Sequence, residues 1–318
     1  MKEVSVVIPN YNGIEYIDNC IKALKAQRQG PLFDIIVVDN NSTDGSRQLV
    51  SQRHTDVSLI PLDDNYGFCK AVNVGIKAAK TPYVILLNND TQVQEGFVAA
   101  LYDRICQKGS FFSVSARMIQ ANQPDLIDDA GDYYCALGWA FARGKDKPIG
   151  NYEIPCYVTA ACGGAAIYRK QVFEIIGYFD ETHFAYLEDI DVGYRARLYG
   201  YKNVYEPKAR VYHVGSGASG SRYNEFKVHY SSRNSIYLIR KNMPWLQRIC
   251  NLPFFMVGFF IKMLFFVRKG LAKTYLNGLW QGMLLPLQGK KVKFQRKHWK
   301  NYVKLQLELW RNMAKRFE

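Results

Sequence analysis

The sequence predicts an α/β fold: a doubly wound sheet with helices on both faces, followed by a basic helical appendage. Three observations carry this. Short apolar runs that end in proline or an acid read as buried parallel strands. The segments between them repeat their apolar residues at helical spacing, and strands alternating with helices make a doubly wound sheet. Composition then changes: Arg240 to Glu318 holds 17 Lys and Arg against two acids, whereas residues 1 to 239 sum to about −1 of the chain's +14.

The first strand is Val4-Ser5-Val6-Val7-Ile8-Pro9 and the second Asp34-Ile35-Ile36-Val37-Val38-Asp39. Between them, Ile14, Ile17, Ile21 and Leu24 give residues 14 to 28 a helical period. A helix through Leu49 follows, then a third strand over 57–62, a helix over 68–79 and a fourth strand over 83–87. In such a sheet ligands collect outside the carboxyl ends of the strands. The residues there are Pro9-Asn10-Tyr11-Asn12-Gly13, Asp39-Asn40-Asn41-Ser42-Thr43-Asp44-Gly45 and Asn88-Asn89-Asp90-Thr91, all rich in oxygen ligands. Asp44 reads as a helix cap. Neither Gly-x-Gly-x-x-Gly nor Gly-x-x-x-x-Gly-Lys occurs after these strands, which argues against a dinucleotide enzyme or a P-loop NTPase.

The chemistry is expected at Glu188-Asp189-Ile190-Asp191, within a run of aromatics and followed by Arg195, with His213 downstream. Carboxylates this dense are costly to bury, so they need metal, proton chemistry or cationic partners. The structural reading is a helix N-terminus, with the acids at the positive end of the dipole and Arg195 pairing back to Asp191.

Taken in order, Val6-Val7-Ile8-Pro9-Asn10-Tyr11-Asn12, Val37-Val38-Asp39-Asn40-Asn41-Ser42-Thr43-Asp44-Gly45-Ser46, Asn65-Tyr66-Gly67-Phe68, Leu86-Leu87-Asn88-Asn89-Asp90-Thr91, Phe179-Asp180-Glu181 and Leu187-Glu188-Asp189-Ile190-Asp191 resemble glycosyltransferase family 2, the inverting enzymes of GT-A fold. The resemblance covers about residues 3 to 242. Asn65-x-Gly67-Phe68 with Asn73-x-Gly75-Ile76, the Gly163-Gly164-Ala165 turn before Ile167-Tyr168-Arg169, and His213 are closest to the bacterial rhamnosyltransferase-like branch. Galactofuranosyl and other hexosyl enzymes carry similar motifs, so a UDP-sugar-dependent hexosyl or galactofuranosyl transferase is the alternative.

The resemblance implies a nucleotide diphosphate sugar donor, bound by Pro9, Asn10, Tyr11, Asn12, Asp39, Asn65, Gly67, Asn88, Asn89 and Asp90. Asp39 would read the base, and Lys70 would reach the diphosphate unless it is a solvated helix lysine. A divalent cation, Mn2+ or Mg2+, would sit on Asp90 with His213 as second ligand, stabilising the leaving group. The family's Asp-x-Asp stands here as Asn88-Asn89-Asp90, with one acid missing. Asp189 matches the catalytic base, supported by Glu188, Asp191 and Arg195. Gly131, Trp139, Gly163 and Gly164 are acceptor-side candidates. A non-catalytic nucleotide-sugar-binding scaffold is the reading of another class, prompted by the missing acid.

The expected organisation is a GT-A domain over 1–242 and a membrane-association or oligomerisation region over 243–318. The latter holds apolar runs from Ile249 to Val267 and from Leu271 to Leu287. At 1.5 Å per residue the first spans about 28 Å, just short of a hydrocarbon core. Lys262 near its middle would cost roughly 2.5 to 3.5 kcal/mol at the bilayer centre, so an interfacial helix fits better. Arg248, Lys262, Arg268, Lys269 and Lys273 would then face anionic headgroups, with the basic cluster from Lys290 to Lys300 behind them. Trp280 and Trp299 suit the headgroup zone. The competing readings are a hairpin buried in a homo-oligomer and a nucleic-acid surface; Phe- and Leu-rich runs are poor phosphate binders, so no nucleic acid is expected.

No amino-terminal apolar h-region follows Met1-Lys2-Glu3, so no signal peptide is expected. Seven cysteines without a Cys-x-x-Cys pair suggest reduced thiols in the cytoplasm. The whole reading is an enzyme on the inner face of the membrane. It would transfer a sugar, best L-rhamnose from its thymidine diphosphate, to a saccharide or polyprenyl-diphosphate-linked acceptor in bacterial surface polysaccharide synthesis.

Overall fold

The structure, a computed structural model, describes residues 2–215, 223–287 and 291–316. The first half alternates as expected: β1 (Val4–Asn10), α1 (Ile17–Lys25), β2 (Phe33–Asp39), α2 (Ser46–Arg53), β3 (Ser58–Pro61), α3 (Gly67–Ala78) and β4 (Tyr83–Leu87). The helix expected over 14–28 is shorter because Gly13 O accepts the Tyr16 and Ile17 N–H groups in a separate turn.

Beyond β4 the chain forms β5 (Thr91–Val93), α4 (Phe97–Cys106), β6 (Phe111–Gln120), β7 (Gln123–Asp129), β8 (Asp132–Tyr134), β9 (Ala140–Ala142), β10 (Cys156–Val158), β11 (Ala165–Arg169), α5 (Lys170–Ile176), α6 (Glu188–Leu198) and β12 (Lys202–His213). The main sheet runs β10-β12-β6-β11-β4-β1-β2-β3, with β5 on β12 and β7 on β6. β1 pairs in parallel with both β2 and β4, whereas β11 enters antiparallel between β4 and β6. Two apolar layers cover its faces, one around Ile17, Leu24, Phe97 and Leu101, the other around Val72, Ile76, Phe173 and Val192.

The C-terminal quarter is helical: α7 (Glu225–Asn242), α8 (Trp245–Arg268), α9 (Ala272–Leu284) and α10 (Trp299–Lys315). It is not a separate lobe. Phe255 of α8 and Tyr302, Leu305 and Leu309 of α10 share one buried cluster with Tyr134, Ile190 and Tyr194 of the body. The expected boundary at 242/243 falls at the end of α7, two residues before α8 begins. Among the described residues α8 is the one helix long and apolar enough to cross a membrane. Lys262 departs from expectation: its ammonium lies 5.6 Å from the Trp139 ring centroid, on the body side of α8. Burial pulls it down to about 8.

Candidate active site

The carboxyl ends of β1 and β4, the start of α3 and the segment leading into α6 enclose a cleft of about 890 Å³. It gathers Pro9, Asn10, Tyr11, Asn65, Gly67, Asn88, Asn89, Asp90, Gly163, Gly164, Glu188, Asp189 and His213 from the sequence reading. It also takes in Asn40, Asp128 and Lys145, which that reading did not select.

One side is a network of amides. Asn10 donates to Asp39 at 3.0 Å and to Ser46 at 2.9 Å, and its oxygen accepts from Asn89 at 2.8 Å. A side chain on Gly13 would strike that pair, its Cβ falling 2.1 Å from Asn89 Nδ2. Asp39 is fully buried behind Asn10, outside the cleft lining. Burial pushes its carboxyl up, but hydrogen bonds from Ser42, Asn10 and Arg47 outweigh this and hold it below the ordinary value. Asn12 binds Thr43 N–H at 2.9 Å and ties two loops together at the surface. Asn40 donates to Asn65 at 2.7 Å, and Asn65 in turn accepts the Gly67 N–H at 3.0 Å. Gly67 has φ +81°, and a Cβ there would meet Phe184 at 2.6 Å. Lys70 pairs with Glu181 at 3.4 Å rather than lining the cleft.

Strand register builds the second feature. β5 lies antiparallel to β12 with Thr91 opposite His213, which sets Asp90 Oδ1 3.3 Å from His213 Nε2. From the other side β7 delivers Asp128, whose Oδ2 is 2.7 Å from His213 Nδ1 and whose Oδ1 pairs with Lys145. Burial lowers the affinity of the imidazole for its proton, but the bonds to Asp128 and Asp90 outweigh this and raise His213 to about 9. Burial pushes Asp128 up, while His213 and Lys145 hold it at about 2.

This donor set fits a hard divalent cation. Two ligand atoms at about 2.1 Å from one ion and at right angles lie about 3 Å apart. A metal-binding histidine commonly gives its other ring N–H to a carboxylate, as Nδ1 can give its proton to Asp128 here. One nitrogen and one carboxylate oxygen suit Mn2+ or Mg2+ completed by phosphate oxygens.

The third feature is the start of α6. Glu188 and Asp189 line the cleft, but Asp191 is fully buried and turned into the body. Lys241 Nζ lies 2.9 Å from both Asp191 oxygens, Arg195 Nη2 is at 2.8 Å and Asn242 Nδ2 at 2.8 Å. Burial raises the Asp191 carboxyl, but Lys241 and Arg195 outweigh it and hold it well below the ordinary value. Among the described residues neither Glu188 nor Asp189 is paired with such a cation. Burial, with the charge of Asp189, pushes Glu188 up to about 8, and its Oε2 finds no partner among the described residues. Asp189 is raised by burial, partly offset by the N–H groups of Ile190 and Gly163 and by a hydrogen bond with Asp132. Asp132 itself is raised well above the usual range by burial and by the charges of Asp129 and Asp189.

Two acceptor-side candidates lie elsewhere. Gly131, at φ +91°, forms the turn after β7 and gives its N–H to Asp129 at 2.6 Å. Trp139 donates to Gly258 O of α8 at 3.0 Å, so this aromatic turn docks a helix instead of lining the cleft.

One cleft thus holds amide-lined strand ends, an Asp-His pair and a carboxylate at the start of α6, on a mixed α/β sheet. The sequence profile of Glycosyl transferase family 2 matches residues 5–177. The chain belongs to that family. It is 25% identical over 265 residues to the N-acetylglucosaminyl-diphospho-decaprenol L-rhamnosyltransferase of Mycobacterium tuberculosis (strain CDC 1551 / Oshkosh), covering 76% of this chain and 85% of that one. In fold it resembles the mannosyltransferase PcManGT from Pyrobaculum calidifontis in complex with GDP-Man and Mn2+, at TM-score 0.56 and 15% identity over 96% of this chain and 84% of that one. S. aureus TarS 1–349 in complex with UDP-GlcNAc gives TM-score 0.58 and 20% identity, over 88% and 80%.

Proposed function

We propose that this protein is a metal-dependent inverting glycosyltransferase with Asp189 as its base. The observation that carries the proposal is the convergence of Asp90, His213 and Asp189 on one cleft at the carboxyl ends of the strands. Asp189 removes the proton of the acceptor hydroxyl as that oxygen bonds to the anomeric carbon. The bond from that carbon to the diphosphate breaks on the opposite face, and its electron pair leaves with the nucleoside diphosphate. A carboxyl raised toward neutral pH is better matched to this proton transfer than an ordinary one. Asp90 and His213 would hold Mn2+ or Mg2+, which when bound neutralises charge on the diphosphate.

The donor proposed is thymidine diphosphate L-rhamnose; the name of the mycobacterial L-rhamnosyltransferase supports its sugar. The acceptor proposed is a polyprenyl-diphosphate-linked saccharide of the bacterial cell envelope. Its support is that relative's name together with α8, whose Leu246, Ile249, Leu252, Met256, Phe260 and Leu264 are each about half exposed or more. Exposed Arg268, Lys269 and Lys273 flank this face, a combination suited to an anionic bilayer surface on the inner side of the membrane.

The test is thermal stabilisation by a panel of nucleotides and nucleotide sugars, with and without manganese. Metal-dependent stabilisation by a thymidine or uridine diphosphate sugar supports the transferase and names the donor. The scaffold reading rests on Asn88 standing where the family has an acid; it expects binding without any metal-dependent release of nucleoside diphosphate.

A further inference from the structure

The acids at the start of α6 follow a backbone under strain. Phe184, Tyr186 and Leu187 have φ of +62°, +70° and +66°, the left-handed region that non-glycine residues rarely adopt. Such a segment persists only where its surroundings over-determine it. Here α7 does so. The Asn234 side-chain nitrogen lies 2.9 Å from His183 O, 2.9 Å from Ala185 O and 2.8 Å from Tyr186 O. Arg233 Nη2 donates to Thr182 O at 2.6 Å and His183 O at 2.9 Å.

The pair is itself oriented. Arg233 Nε donates to Asn234 Oδ1 at 3.0 Å, which turns the amide N–H groups toward the loop. The guanidinium lies 4.5 Å from the Tyr230 ring centroid, and Tyr230 stacks on Phe184 of the loop at 5.2 Å. Behind α7 stands α9. A Cβ on Gly282 would fall 2.3 Å from Arg233 O, and one on Gly278 1.9 Å from Ser232 Oγ. Asn234 is fully buried, and its side chain touches the backbone that carries the base rather than the cleft.

We propose that Asn234, aligned by Arg233, is a positioning residue that locks the strained 183–187 backbone so that Asp189 faces the cleft. The inference rests on the reading of Asp189 as base. It assigns a function to α7 that no motif of the acidic segment contains. Misplacing a catalytic group by about 1 Å costs on the order of a hundredfold in rate.

The test compares Asn234→Ala, Asn234→Asp, Arg233→Leu and Asp189→Asn in the full chain. The donor is the nucleotide sugar that stabilises the protein most in the panel above, with manganese. Loss of the clamp is expected to lower kcat by about thirtyfold to a hundredfold and to move the acid limb of the kcat–pH profile. Donor KM and the Kd for the nucleoside diphosphate stay within about twofold. Asn234→Asp, which sets an acceptor against three carbonyl oxygens, should be the worse substitution. Arg233→Leu keeps packing on Tyr230 and should show a milder form of the same split, which serves if the Asn234 variants do not fold. Unchanged kcat and pH profile in the clamp variants, with Asp189→Asn inactive, overturns the clamp alone. Loss of nucleotide binding in step with kcat also overturns it, in favour of a general structural role. Turnover retained by Asp189→Asn overturns the base reading, and the clamp with it.

Discussion

Asp191 and Asp189 sit two residues apart on α6 and live in opposite electrostatic worlds. Asp191 faces the body, where Lys241 and Arg195 balance its charge and depress its pKa while Asn242 donates a hydrogen bond to it. Asp189 faces the cleft with N–H groups and Asp132 for company, and burial raises its pKa. A buried acid whose cost is met by cations is part of the frame. One left without them is available to a substrate.

The sharpest way to break this comparison is Asp189→Asn. General-base catalysis is worth roughly a hundredfold to ten-thousandfold, about 3 to 5 kcal/mol of barrier, so transfer should nearly vanish while calorimetry still shows nucleotide binding. Most of the turnover surviving would shift the role to Glu188.

Asp191→Asn should give the reverse pattern. Removing one partner of a buried ion pair costs about 3–5 kcal/mol, read by denaturant unfolding. The pH dependence has a definite sign. Because the folded pKa is depressed, the stability that Asp191 contributes is fully present above the unfolded value near about 4 and is lost as pH falls through the folded value. The variant should therefore show a flatter loss of stability in acid than the parent.

Asp128→Asn sharpens the distinction between holding a ligand and being one. Outer-sphere partners of metal ligands are worth about tenfold to a hundredfold in affinity. The manganese concentration for half-maximal stabilisation by nucleotide should rise by that factor, with the fold intact. A rise of less than twofold would confine Asp128 to pairing with Lys145.

The smallest effects belong to the tail. Replacing Arg268, Lys269 or Lys273 with Gln should each weaken co-sedimentation with anionic vesicles by about 1 kcal/mol, roughly fivefold, and less at high salt. No difference between anionic and neutral vesicles would leave the apolar face of α8 to a second copy of the chain, which analytical ultracentrifugation would reveal.

Much of this was legible in the order of residues. Local rules suffice for β1, β2, α3 and β4, because apolar period and terminal punctuation are properties of neighbours along the chain. The polar strand ends and the pair of acids at the start of α6 were readable for the same reason. Tertiary structure alone decided what each polar group faces. Asp128 reaches His213 only because β7 and β12 both pair with β6, and nothing in the spacing of those residues encodes that register. Trp139, an acceptor-side candidate in sequence, donates to the backbone of α8, since an aromatic in a glycine-rich turn suits either partner. Lys262 turned inward for a related reason: a helix has two sides, and only packing chooses which one meets the body. The Asn234 contacts join residues some fifty positions apart, beyond any local pattern. Sequence thus set the elements and their chemistry, while long-range pairing in the sheet and between helices set which carboxylates meet cations in the body and which line the cleft.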